Sequence, residues 1–277
     1  MAEGMRFELL GRLRALYGGT EVPLGPPKQR AVLAVLLLQD GRPMSYEALV
    51  AAVWGEEPPG QVRNLVQKYV SGLRRAFDGA GVGAGAGTGV DAGDGTGVGV
   101  WPELVWTGSG YRLTGAAADD LRERRALLRE ALAARNGGDL RGAGELAERA
   151  EALWRGEFAE GLAGPYLAAE RRRFAEKRLM VLEARLEADL ELGRYHECVH
   201  QLVHQVAAHP LRERFVYLLM LALYRSGRSS DALLAYAEAR SRIAEAMGAD
   251  PGPALRALHQ RVLRQDPALL PGSAPAA

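Results

Sequence analysis

The stretch QVRNLVQKYVSGLRRAF, residues 61–77, decides the fold of the N-terminal half, because its two faces differ in chemistry. Its apolar residues recur at the spacing of one helix face: Val62, Leu65, Val66, Tyr69, Val70, Leu73 and Phe77. That spacing predicts an amphipathic helix over residues 61–77, with the apolar stripe packed on a core.

The opposite face of this predicted helix is polar and basic. At about 100° per residue, one narrow sector holds Arg63, Gln67, Ser71 and Arg74, flanked by Asn64, Lys68 and Arg75. No acidic residue lies between Glu57 and Asp78. Arginine pairs with guanine edges, and asparagine or glutamine with adenine edges, so the face suits the major groove of DNA. A solvated face is the other interpretation, but solvated faces usually mix both signs of charge.

The elements that precede this helix have their own signals. Short apolar runs separated by glycines before residue 25 indicate three antiparallel strands. An unbroken Leu- and Ala-rich run predicts a buried helix from Lys28 to Gln39. Ser45 is the expected N-cap of a second helix through Trp54. The order of these elements predicts a small sheet followed by a three-helix DNA-binding unit.

A β-hairpin is predicted after the helix over 61–77, from residues 101–106 and 111–113 joined by a turn. Between them, residues 79–99 are rich in glycine and are expected to form a mobile loop, because ordering them costs much backbone entropy. The fold class predicted for this half is an α+β winged helix-turn-helix. The winged-helix DNA-binding domain is therefore expected to span residues 1–114.

The rest of the chain predicts an all-α, tetratricopeptide-like domain over residues 115–266. Gly193 and Gly227 are 34 residues apart, as are Cys198 and Ala232. That period is typical of stacked helix pairs, in which small residues lie where two helices approach closely. Residues 267–277 are expected to be a disordered tail.

Composition limits the remaining possibilities. A length of 277 residues favours two domains, and a net charge of +1 means that any polyanion must be bound by local charge. The single cysteine, Cys198, excludes an internal disulfide and suits a reducing cytosol. The longest aliphatic run, Ala31 to Leu38, is far shorter than the roughly 20 residues of a membrane span. We expect a soluble, cytoplasmic protein that makes no membrane contact.

Catalytic, cofactor and metal sites are not expected. The glycine-rich segment has no phosphate-cradling motif, and no grouping of nucleophile, base and orienting residue stands out. His196, His200 and His204 lie one helical turn apart, the spacing of metal ligands, but no Cys or carboxylate cluster accompanies them. Solvated or partly packed histidines are the preferred interpretation. The four tryptophans are interpreted as core anchors, since they are widely dispersed.

Several stretches resemble the Streptomyces antibiotic regulatory protein family, whose N-terminal part is similar to the DNA-binding domain of response regulators. They are PPKQRAVLAVLLL from Pro26, LVAAVWGEEPP from Leu49, NLVQKYVSGLRRAF from Asn64, GYRL from Gly110 and HPLRERFVYLLMLALYRSGRSSDALLAYAEAR from His209. LGRYHE and DPGPALRALHQRVLRQDP are similar to that family's bacterial transcriptional activation domain. The resemblance covers nearly the whole chain outside the glycine-rich segment.

This resemblance implies a transcriptional activator of secondary-metabolite genes that works at the nucleoid. It implies that the helix over 61–77 enters the major groove and that the hairpin touches the adjacent minor groove. It also implies binding to promoter direct repeats as a head-to-tail homodimer and recruitment of RNA polymerase through the sigma factor and core subunits. The chain departs from the family at the hairpin turn, where Thr107 replaces a frequent arginine.

The candidate DNA contacts fall into three groups. Arg63, Gln67 and Arg74 are expected to contact bases, and Asn64, Lys68, Ser71 and Arg75 to have mixed base and phosphate roles. Lys28 or Arg30, at a helix start, is expected to bind the backbone. The hairpin adds Thr107, Tyr111 and Arg112.

Two other functions remain open at this stage. A repressor with the same DNA-binding head would bind DNA equally well. A protein-interaction scaffold would use the helical repeats and show no salt-dependent duplex binding. An enzyme is the least favoured interpretation.

Overall fold

The computed structural model describes residues 4–82 and 101–270. The chain divides into two compact units. The first unit comprises residues 1–129 and 148–178, and the second comprises 130–147 and 179–277. Among the described residues, no helix is both long enough and apolar enough to cross a bilayer.

The first unit begins with the predicted antiparallel meander. Strands β1 (Arg6–Glu8), β2 (Arg14–Tyr17) and β3 (Thr20–Glu21) pair in that order, with Phe7 opposite Ala15. Phe7 and Ala15 are fully buried. Alternate residues of each strand point to one face of the sheet, and the apolar ones on that face pack into the core. The third strand lies just before the predicted apolar run, which starts at Val22.

Two helices follow at nearly the predicted positions. Helix α1 (Pro27–Leu38) is buried along almost its whole length, and α2 (Tyr46–Trp54) packs on it. The Ser45 hydroxyl accepts a hydrogen bond from the Ala48 N–H at 3.1 Å, which confirms the predicted N-cap. Strand β4 (Met44–Ser45), which lies between the two helices, was not predicted, because two residues are too few to show an alternating pattern.

Strand β4 completes the sheet that carries the predicted hairpin. Strands β5 (Glu103–Trp106) and β6 (Gly110–Thr114) pair with each other, and β6 also pairs with β4. We call β5, β6 and their turn the wing. The backbones meet so closely at Gly110 that a Cβ there would lie 1.9 Å from the Met44 carbonyl oxygen. Only glycine fits this position without displacing β4.

Helix α3 (Val62–Val82) is longer than predicted. Its apolar stripe continues through Ala76 and Ala80, which pack against the core. For this reason the expected loop over 79–99 is wrong at its start, where residues 79–82 are helical. The remainder of that predicted loop, residues 83–99, lies outside the described residues.

The compact units do not follow the expected domain boundary between residues 114 and 115. Helices α4 (Asp119–Asn136), α5 (Leu140–Ala152) and α6 (Pro165–Glu191) each contribute residues to both units. Phe158, Leu162 and Phe174 belong to the same core cluster as β1, β2, α1 and α3. The Arg155 N–H also donates to the Leu10 carbonyl at 2.8 Å. Sequence periodicity cannot reveal such long-range contacts.

A buried carboxylate ties α4 to the first sheet. Asp120 is 0% exposed, and one of its oxygens accepts hydrogen bonds from the Leu9 and Leu10 N–H groups, each at 2.7 Å. The same oxygen lies 3.4 Å from Arg155 Nη2. Burial raises the pKa of Asp120, while the two backbone N–H groups and Arg155 oppose that rise.

The second unit contains the predicted repeat. Its helices are the ends of α4 to α6 together with α7 (Tyr195–Ala208), α8 (Glu213–Arg225), α9 (Ser229–Met247) and α10 (Pro253–Leu263). Gly193 and Gly227 precede α7 and α9 with φ of 82° and 80°. Cys198 and Ala232 are both buried, so the same turn and the same close approach recur 34 residues apart.

The expected disordered tail is wrong over its first residues. Pro267–Leu269 form a 3-10 turn, and Leu269 is buried in the core of the second unit. Arg225 Nε donates to the Leu269 carbonyl at 2.9 Å, which fixes this segment. Residues 271–277 of the predicted tail lie outside the described residues.

We predict that Asp120→Ala destabilises the first unit by about 3 kcal/mol, because two buried N–H groups lose their acceptor. Tryptophan fluorescence during urea unfolding measures this, since Trp54, Trp101, Trp106 and Trp154 all belong to the first unit. The control is Glu123→Ala, because Glu123 lies on α4 as Asp120 does. This change removes a half-exposed ion pair between Glu123 and Arg6 of β1, and it should cost less than about 1 kcal/mol. Equal midpoints for the two variants would contradict the role of Asp120.

Candidate nucleic-acid interface

Helix α3 separates its two faces as the sequence predicts. Val66, Val70 and Leu73 are buried, and the ring of Phe77 meets Phe7 edge to face at 5.8 Å. The predicted contact residues on the other side are all exposed: Arg63, Asn64, Gln67, Lys68, Ser71, Arg74 and Arg75. This surface, which we call the polar face of α3, spans more than three helical turns without an acidic side chain.

Arg63 lies at the start of the polar face. Its Cζ is 5.5 Å from the centroid of the Tyr46 ring, an aromatic residue at the start of α2. This contact uses no hydrogen-bond donor, and no hydrogen bond of Arg63 occurs among the described residues, so its N–H groups stay available. This position leaves Arg63 fit for bidentate pairing with a base.

Arg74 has an intramolecular role that the sequence did not reveal. Its Nε and Nη2 both donate to the Leu104 carbonyl oxygen of β5, at 3.1 and 2.5 Å. The guanidinium therefore braces the wing against α3. These bonds use two of the five N–H groups of an exposed side chain, so the expected base contact of Arg74 stays a prediction.

The two residues expected to bind the DNA backbone from α1 are also engaged or shielded. Lys28 Nζ donates to the Val53 carbonyl at 2.7 Å and lies 5.5 Å from the centroid of the Trp54 ring. It thus satisfies a carbonyl in the last turn of α2, where a cation is favourable. Arg30 is half-buried, and its Nε is buried with no acceptor among the described residues. Lys28 is therefore engaged within the first unit, and the expected backbone contacts of Lys28 and Arg30 stay predictions.

The three predicted contact residues of the wing differ in their exposure to solvent. Thr107 is exposed, and its N–H and hydroxyl donate to the Gly110 carbonyl at 2.9 and 3.3 Å, which closes the turn. Tyr111, an expected contact, is buried instead, because its ring packs edge to face with Trp106 at 5.0 Å. Burial raises the pKa of the Tyr111 hydroxyl. Arg112 is half-buried, with its Nε shielded from solvent.

Trp106 was interpreted from the sequence as a core anchor, yet half of its surface is exposed. Leu104 and Trp106 are two residues apart, so their side chains point to the same face of β5. Leu104 is buried in the core, whereas Trp106 lies beyond its edge. Trp106 borders an open cleft of about 570 Å3 between the wing and the polar face of α3. The cleft is lined by Gln67, Val70, Ser71, Arg74, Trp106 and Tyr111.

The described residues were also compared with the requirements of a metal site and of a cysteine nucleophile. His196, His200 and His204 are exposed on α7, and the described ranges contain no group of three or more His, Cys, Asp or Glu residues placed to hold a metal. Burial raises the pKa of Cys198 to about 12, so its thiol stays protonated and is not a nucleophile.

Two family models match the chain and define its class. Residues 19–84 match the model described as "Transcriptional regulatory protein, C terminal", and residues 119–263 match "Bacterial transcriptional activator domain". A winged-helix region followed by such a helical domain defines a class of bacterial transcriptional regulators. Within that class, the chain belongs to the Streptomyces antibiotic regulatory protein family.

Similar proteins carry regulatory names. The regulatory protein AfsR of Streptomyces coelicolor is 44% identical over 96% of this chain, which spans only 25% of AfsR. The regulatory protein DnrI of Streptomyces peucetius is 34% identical over 96% of this chain and 94% of DnrI. The solved structure of Mycobacterium tuberculosis EmbR, in complex with a low affinity phosphopeptide, is 34% identical. It has a TM-score of 0.80 and covers 95% of this chain and 66% of EmbR.

We predict that Arg74→Ala loosens the wing in the free protein, since the Leu104 carbonyl loses its side-chain donors. Amide hydrogen exchange across β5 and β6 should accelerate roughly fivefold, the effect of losing about 1 kcal/mol. Arg63→Ala is the matched control, because Arg63 lies on the same face of α3 but makes no hydrogen bond to the wing among those described. If the two variants exchange at the same rate, Arg74 is not the brace.

Proposed function

We propose that this chain is a sequence-specific DNA-binding activator of transcription that controls secondary-metabolite genes. The observation that carries the proposal is the exposed, acid-free polar face of α3. A face of this kind attracts phosphates along its whole length and offers donors to base edges. Membership of the Streptomyces antibiotic regulatory protein family supports the choice of target genes and a place of action at the nucleoid.

The polar face divides into reading and positioning roles. Arg63 and Gln67 read bases, because both present planar groups that can form two hydrogen bonds to one base, Arg63 with two donors and Gln67 with a donor and an acceptor. Lys68 and Arg75 bind phosphates, where a positive charge matters more than geometry. Asn64 and Ser71 lie between the two groups and serve either purpose. Arg74 positions the wing through the Leu104 carbonyl.

Because the net charge of the chain is only +1, attraction to DNA comes from this local surface. Two copies then bind direct repeats in a promoter, head to tail, with each wing at a minor groove. The family resemblance supports this arrangement. A local basic surface also predicts that affinity falls steeply as salt rises.

The helical part recruits RNA polymerase through its sigma factor and core subunits. The match of residues 119–263 to a bacterial transcriptional activator domain supports this step. The second unit also exposes large apolar side chains at Val203, Leu234 and Met247, each more than half exposed. Exposed apolar residues of this size suit contacts with a protein partner.

We predict that Arg63→Ala weakens binding to the promoter repeat by about 1 to 3 kcal/mol and relaxes preference at one base position. Lys68→Ala should weaken binding to all sequences alike and lower the salt slope by about 1. Footprinting on genomic promoter fragments at two salt concentrations, followed by titration of the recovered duplex, measures both effects.

The control for this experiment is Arg256→Ala, which removes an exposed arginine of α10 in the second unit. It should leave affinity and salt slope unchanged. A uniform loss for Arg63→Ala, with preference intact, would reduce Arg63 to a phosphate contact. Wild-type chain that shows no salt-dependent duplex binding would favour the scaffold interpretation and overturn the proposal.

Transcription in a reconstituted system separates an activator from a repressor that uses the same DNA-binding head. We predict that the chain raises transcript yield from a promoter carrying the footprinted repeat. Arg63→Ala should abolish the increase at protein concentrations where only the wild type occupies the site. A lower yield with occupied DNA would identify a repressor.

A further inference from the structure

The wing presents an exposed tryptophan beside the polar face of α3. Trp106 is 50% exposed, although tryptophan carries one of the largest apolar surfaces that a protein can bury. It is the only exposed large hydrophobic side chain of β5 and β6, within the part of the chain that the structure describes. Burying such a surface against a partner is strongly favourable, so its exposure in the free protein indicates a binding role.

The indole is held in place before any partner arrives. Tyr111 packs against it edge to face with ring centroids 5.0 Å apart, and Tyr111 itself is buried. Arg74 binds the Leu104 carbonyl, two residues before Trp106, and so fixes β5 against α3. A pre-positioned aromatic ring loses little conformational entropy on binding.

The surroundings of Trp106 indicate what it meets. It shares a cleft with Gln67 and Ser71, so whatever contacts those polar residues also comes within reach of the indole. The wing turn, residues 107–110, contains no charged residue, and Arg112 is half-buried. The wing turn and the neighbouring Trp106 therefore offer an apolar group, and no charged side chain, beside the polar face of α3.

We propose that Trp106 is a specificity-determining DNA contact, whose indole packs on apolar atoms of the duplex beside the bases read by α3. These atoms are deoxyribose carbons or thymine methyl groups. This inference rests on the proposed function, because it places DNA on the polar face of α3. A contact of this type adds affinity and sequence preference without adding a phosphate contact, so it leaves the salt dependence unchanged.

Two measurements on the full-length chain test the proposal, both with the duplex recovered by footprinting. Trp106→Ala should bind this duplex about tenfold more weakly, with an unchanged salt slope, whereas Trp106→Phe should stay within about threefold. Leu263→Ala, which removes another exposed apolar side chain in the second unit, is the control and should bind as the wild type does. Thermal unfolding of each variant reports any loss of the fold.

The second measurement needs no variant. Duplexes with 5-iodouracil in place of single thymines are irradiated with the wild-type chain, and the crosslinked peptide is identified by mass spectrometry. Crosslinking to Trp106 at one or two thymines is expected if the indole meets a thymine methyl group, because the iodine takes the place of that methyl group. Replacing the same thymines by uracil distinguishes the two sources, because it weakens binding only if the methyl group is the contact.

Wild-type affinity in Trp106→Ala overturns the proposal while the DNA-binding function stands. Absence of Trp106 from the crosslinked peptides, together with unchanged binding of the uracil duplexes, assigns the contact to deoxyribose carbons and not to a thymine methyl group. If wild-type chain shows no salt-dependent duplex binding at all, the proposed function fails and the role of Trp106 fails with it.

Discussion

The packing of α3 on α1 is the constraint on which the rest of the first unit depends. Val66, Val70 and Leu73 are buried in the shared core, and Phe77 anchors the helix against Phe7 of β1. Truncating any of these side chains would cost several kcal/mol. Since the apolar stripe admits only one rotation of the helix, the polar residues must face solvent. The exposure of the polar face of α3 thus follows from hydrophobic burial on the other side.

A correctly rotated helix needs further support to act with the wing as one surface. Arg74 reaches from α3 to the Leu104 carbonyl of β5, and Gly110 lets β6 lie against β4 just before α2. These contacts connect the wing to two helices of the same unit. Asp120 serves a similar purpose at the first sheet, where it satisfies two buried N–H groups of residues 9 and 10.

Elements with a strong local signal could be predicted from the sequence. The 3.6-residue period of α3 and the cap at Ser45 depend on neighbouring residues, so the sequence indicates them directly. The choice between free and engaged side chains could not be predicted this way. Arg63 and Arg74 occupy the same face of α3, yet only Arg74 meets a carbonyl, because β5 approaches from 30 residues later in the chain. Trp106 was misread for the same reason, since the extent of the core is a tertiary property.

The distribution of charge explains how a nearly neutral chain can recognise a polyanion. The chain has 35 basic and 34 acidic residues, so its net charge provides little long-range attraction to DNA. Non-specific binding therefore has little electrostatic drive away from the polar face of α3. In the proposed function the same face reads bases and holds phosphates, so a large share of the binding free energy would depend on sequence. A weakly charged regulator gains selectivity over the many competing sites of a genome in this way.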